Sequence, residues 1–142
     1  MSFQLSDLLS RRLDPMFKQF QQALDTVATY TLFKPPSGLY GAAGGIKQTV
    51  IAAIVFTNPN AILGGTVTLN IGGNAAINDF LASVNLTIPT TANDTVYLAP
   101  NTTQLVGAAW VGYTIGQTFQ LQVTAGGTAG SKADIVGLGF TE

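Results

Sequence analysis

The chain is 142 residues long, carries 13 charged side chains (six basic, seven acidic), and has neither cysteine nor histidine. That excludes disulfide frameworks, thiolate zinc sites, cysteine nucleophiles and every histidine-based triad. Charged residues make up 9%, against about 25% in an ordinary soluble domain, and a net charge of −1 gives no field to draw in nucleic acid or an anionic membrane.

The stretch from Gln48 to Asn78 carries no charge, but Pro59, Gly64, Gly65, Gly72 and Gly73 interrupt it. A spanning helix needs about 20 consecutive apolar residues, so no membrane span is expected. Asp7, Arg11 and Arg12 stand where a signal peptide would be apolar, so no leader is expected either. The sequons at Asn85, Asn93 and Asn101 then read as chance features of a Thr/Asn-rich chain.

Charge is concentrated in residues 1–34, which hold Asp7, Arg11, Arg12, Asp14, Lys18, Asp25 and Lys34. Leu5, Leu8, Leu9 and Leu13 follow helical spacing, with Ser6 as a possible cap. Asp14-Pro15 reads as a second N-cap with proline at the first helical position. Met16, Phe17, Phe20, Leu24 and Val27 then form an apolar stripe beside Lys18, Gln19, Gln21, Gln22 and Asp25. The spacing predicts an N-terminal helical arm over 1–34. Its stripe admits two readings: packing on its own β domain, or docking on a partner chain. Residues 35–47, with Pro35-Pro36 and Gly41–Gly45, read as a Pro/Gly-rich linker.

Residues 48–142 read as an antiparallel β-sandwich or jelly roll. Expected strands are 48–56, rich in Val and Ile; 66–71, alternating; 80–88, where Leu81 breaks the alternation; 95–99; 105–113; 118–124; and 134–141, with Ile135, Leu138 and Phe140 inward. Residues 125–131 read as a hairpin loop. Strands at this spacing without a βαβ rhythm make the chain mainly β.

Chemistry is sparse. Residues 126–132 superficially suggest a phosphate loop, but Ser131 separates Gly130 from Lys132 and a strand follows, not a helix. Asp79, Asp94 and Asp134 sit among turn-forming residues and make no calcium loop. The expectation is a protein that is not an enzyme and holds no metal or cofactor. Trp110, Tyr113 and Tyr97 are either core aromatics or a platform for a sugar ring. A β domain this poor in charge needs its surface covered by neighbours, which predicts a symmetric homo-oligomer.

The arm, the Pro-Pro break and the segments Thr91–Trp110 (TANDTVYLAPNTTQLVGAAW) and Thr118–Phe140 (TFQLQVTAGGTAGSKADIVGLGF) resemble the capsid decoration, or cement, proteins of tailed bacteriophages. The resemblance is one of architecture. It implies a trimeric virion protein made in the host cytoplasm and bound to the capsid surface through the major capsid protein. The Pro35-Pro36 spacer uncouples the arm from the β domain, so the stripe Met16, Phe17, Phe20, Leu24 and Val27 is expected to dock on a partner subunit or the capsid lattice. A receptor-binding or fibre head that binds saccharide, and a tail or baseplate subunit, are the alternatives.

Overall fold

The computed structural model describes residues 13–35, 48–58, 66–86, 94–100, 112–114 and 116–141. No helix occurs among them. The strands are β1 (Asp14–Ala23), β2 (Ala28–Phe33), β3 (Thr49–Thr57), β4 (Val67–Gly73), β5 (Leu81–Leu86), β6 (Thr95–Leu98), β7 (Gly112–Tyr113), β8 (Phe119–Ala125) and β9 (Lys132–Thr141).

They form two antiparallel sheets. Sheet A has the order β1-β9-β3-β6, with β7 continuing along β3 beyond β6, and sheet B has the order β2-β8-β4-β5. The chain therefore changes sheet at every connection but two: the β4–β5 hairpin stays within sheet B, and β6 and β7 both lie beside β3 in sheet A. This is the strand order of a jelly roll, in which a folded-over ribbon pairs β1 with β9 and β2 with β8.

One apolar cluster fills the space between the sheets. Sheet A contributes Phe17, Ile51, Ile54, Phe56, Tyr113, Ala133 and Ile135, and sheet B contributes Leu32, Val67, Leu69, Ile71, Leu86, Phe119, Leu121 and Val123. Strict alternation in TVTLNI and TFQLQVT places these residues inward, as a half-buried strand requires. Phe119 lies at the centre of the aromatic packing, with ring centroids 5.1 Å from Tyr113, 5.4 Å from Phe80 and 5.8 Å from Phe17.

The helical reading of the N-terminal region is corrected where it can be seen: residues 14–23 and 28–33 are strands, each at the edge of its sheet. Two register shifts in β1, between Pro15 and Phe17 and between Gln19 and Gln22, insert extra residues. Bulges of this kind reset which face a side chain occupies. They turn the alternation of a strand into the three-and-four spacing of a helix. The proposed helix over residues 1–12 and the linker residues 36–47 lie outside the described residues.

Three further expectations change. Residues 126–131 do not close a hairpin, because β8 and β9 belong to different sheets; they arch from one sheet to the other. Leu138 and Phe140 do not face the core. Strand β9 is regular, and Gly137 stands inward under Phe17, so Val136, Leu138 and Phe140 point away. Leu81 is inward, despite breaking the alternation, because β5 bulges at Ser83, whose φ is 52° and whose N–H donates to Asn70 Oδ1 at 2.9 Å.

Candidate interaction surfaces

The two sheets turn outer faces of opposite chemistry to their surroundings. On sheet B the outward positions are Thr29 and Thr31 of β2, Gln120 and Gln122 of β8, Thr68 and Asn70 of β4, and Asn85 of β5. All are uncharged amides or hydroxyls. They bond along the rows: Asn70 Nδ2 donates to Gln122 Oε1 at 3.0 Å and Thr68 Oγ1 to Asn85 Oδ1 at 2.8 Å. Hydration here comes from amides and hydroxyls, which accounts for a surface poor in charge.

On sheet A the outward rows are largely apolar. Register aligns Lys18, Val136, Val55 and Tyr97 across the four strands, then Pro15, Leu138 and Ala53, then Phe140 and Val50. Only the row of Asp134, Thr57 and Thr95 is polar throughout. Val50 is 0% exposed and Phe140 7% although both face away from the core, and Leu13 packs against them. The apolar run VIAAIVF in β3 carries the sequence signal for this: a strand apolar on both alternations is one with both faces covered.

The five arm residues do not share a face. Phe17 is buried between the sheets, stacked at 6.0 Å on Phe33. Leu24 is buried at the β1–β2 corner, where its N–H donates to the Ser131 carbonyl at 2.9 Å and its carbonyl accepts from Gly127 N–H at 3.0 Å. Met16 is partly buried against the core. Phe20 and Val27 stand out, 68% and 66% exposed. Of the aromatics, Tyr97 is 71% exposed, Tyr113 is buried, and Trp110 lies outside the described residues.

The acidic residues of the β region serve turns and strand ends. Asp79 closes the β4–β5 end: its Oδ1 accepts from Gly73 N–H at 3.0 Å and from the Tyr113 hydroxyl at 2.9 Å. Burial, then the Asp79 charge and the hydrogen bond to it, push the Tyr113 phenol well above its ordinary value. Asp134 Oδ1 accepts from Gln21 N–H at 2.8 Å, holding the bulge where Gln21 has a φ of 51°. The Asp94 carbonyl accepts from Asn58 N–H at 3.0 Å.

Asp25 ties the β1–β2 corner to the 126–131 arch: its Oδ2 accepts from Gly130 N–H at 2.9 Å, which holds the carboxyl below its ordinary range. These contacts make the 126–131 segment an inter-sheet brace, followed by strand β9. Among the described residues no three acidic side chains gather to hold a metal ion, and no helix is long and apolar enough to cross a membrane.

No protein-family model matches the chain, and no curated protein matches it in sequence. Its fold does have a counterpart among solved structures. A chain of the cyanophage Pam1 capsid asymmetric unit superposes with a TM-score of 0.50 at 10% identity, over 92% of this chain and 81% of that one. At that identity the likeness is one of fold: two antiparallel sheets in an arrangement related to that of a phage capsid component.

Proposed function

We propose that this protein is a non-enzymatic structural subunit of a phage virion, specifically a decoration protein that binds the outside of the head as an oligomer. The observation that carries the reading is the fold likeness across 92% of the chain to a chain of a phage capsid asymmetric unit. The match spans most of both chains, so the two are similar in length and the likeness is not a shared fragment. The physical character of the chain supports it. Its 13 charges leave little catalytic chemistry and suit a subunit with much of its surface covered by neighbours. In this reading the partners are further copies of the chain, with a trimer favoured, and the major capsid protein. The protein is made in the host cytoplasm and resides on the virion. Phe20 and Val27, the exposed members of the arm stripe, contact the neighbouring capsid subunit.

The test is to purify virions, identify this chain in them by mass spectrometry, and locate it by cryo-electron microscopy. Density of the jelly roll on the head surface is the expected result. A chain missing from the particle, or found at the tail fibres, overturns the reading. Light scattering of the purified protein tests the oligomer, and a stable monomer at micromolar concentration removes it.

A further inference from the structure

Among the described residues the sheets end on four edges: β1 and β6 in sheet A, β2 and β5 in sheet B. An edge strand presents a row of backbone N–H and C=O groups that another strand can join, and folded chains blunt such edges with bulges, charge, proline or short length. Three of the four are blunted. β1 carries Pro15, Lys18 and two register shifts, with Gln21 at a φ of 51° inside the second. β5 is bent at its bulge by Ser83, at a φ of 52°. β6 is four residues long, and β7, on the same side of β3, is two.

β2 is the exception. Its sequence, ATYTLF, holds no charge, no proline and no positive φ, and its one register shift lies at the far end, between Thr31 and Phe33. Thr29 and Thr31 are exposed. The strand is flanked by opposite charges, Asp25 shortly before it and Lys34 directly after it. An antiparallel partner of the same sequence lays the start of one strand beside the end of the other. Centred on Tyr30, that pairing sets Thr29 opposite the partner's Thr31 and Ala28 opposite the partner's Leu32. It also brings Lys34 within one residue of the partner's Asp25, at both ends. Threonines are favourable cross-strand neighbours, and an uncharged strand meets no like charge when it faces itself.

We infer that β2 pairs antiparallel with β2 of a second copy, about a two-fold axis between the Tyr30 residues, so that sheet B runs on unbroken through both molecules. The occupant of this edge is a second copy of the chain because the strand is self-complementary in shape, hydrogen bonding and flanking charge. The contact joins copies in twos. It is distinct from any three-fold contact and independent of the virion reading, since it is tested on the free protein.

The experiment is the oligomeric state of the purified full-length protein, read by light scattering over a range of micromolar concentrations. Thr29→Lys with Thr31→Lys sets lysine opposite lysine twice and should weaken pairing about tenfold or more. Thr29→Lys with Thr31→Glu sets lysine opposite glutamate at both places and should restore it. Both positions are exposed, so the circular dichroism of each variant should match wild type. A monomeric wild type, a lysine pair that assembles as wild type does, or a lysine–glutamate pair as weak as the lysine pair each overturns the inference. Lys34→Glu gives a second readout outside the strand, independent of whether the double variants fold. It sets like charges beside the partner's Asp25 and should weaken pairing several-fold at low salt. Unchanged assembly in that variant overturns the alignment and the inference with it.

Discussion

Phe17 and Gly137 face each other across β1 and β9, and the Phe17 ring occupies the space where a side chain at 137 would begin. The ring cannot swing away, because Phe33 and Phe119 hold it on its other sides. Gly137→Ala therefore forces the ring out of a packed core and should cost about 2–3 kcal/mol, the upper part of the range for overpacking. Phe17→Ala should cost about 3–5 kcal/mol through the cavity it leaves. Denaturant unfolding of both variants checks this. A Phe17→Ala protein as stable as wild type would detach β1 from the sandwich.

The same geometry separates residues that the arm stripe had grouped. Leu24→Asp buries a charge at the β1–β2 corner and should prevent folding or cost more than about 4 kcal/mol. Phe20→Asp alters an exposed side chain and should change stability by no more than about 0.5 kcal/mol. Under the proposed function it should still weaken attachment to phage heads. Melting curves of the two variants side by side, with co-sedimentation for the second, test both halves.

Tyr113→Phe removes the hydroxyl that bonds Asp79 and should cost about 1 kcal/mol near neutral pH. Its effect on alkaline stability has a definite sign. The folded phenol holds its proton to higher pH than the unfolded one, so its contribution is complete below the unfolded pKa of about 10 and is lost as pH rises above it. Wild type should lose stability from about pH 10 upward more steeply than Tyr113→Phe. Parallel slopes would contradict the buried position of the phenol.

Asp25→Asn should show the opposite pH dependence. The Gly130 N–H holds the folded carboxyl below its unfolded value, so the stability it adds is present above about pH 4 and is lost as pH falls through the folded pKa. The variant should be modestly less stable than wild type at neutral pH, with the difference closing as the solution is acidified. A difference that persists unchanged at about pH 2 would show that the amide is lost for another reason.

The β strands with clean alternation were legible, TVTLNI in β4 and TFQLQVT in β8 above all, because period two survives wherever the ladder is regular. The first strand was not. Asp14-Pro15 is a fitting helix start, and the bulges at Met16 and at Phe20-Gln21 respace Phe17 and Leu24 into a helical stripe. Only the partner strand β9, more than a hundred residues away, reveals the bulges. Ser83 hid the inward turn of Leu81 in the same way. The apolar outer face of sheet A left a trace in VIAAIVF, but sequence alone does not say which residues of such a run face which layer.

The pairing of β1 with β9 and of β2 with β8 bears on how the molecule is made. On the ribosome β1 and β2 emerge first, yet the strands that satisfy their backbone groups in the two sheets come about a hundred residues later, a delay of at least several seconds at ordinary rates of synthesis. During that interval the N-terminal ribbon has no ladder to join, and its unpaired N–H and C=O groups are open to strands of neighbouring nascent chains. Closing the longest loop of the fold sets a slow final step. Yield in the cell should therefore respond to translation speed and chaperone supply more than to small changes in the stability of the finished protein.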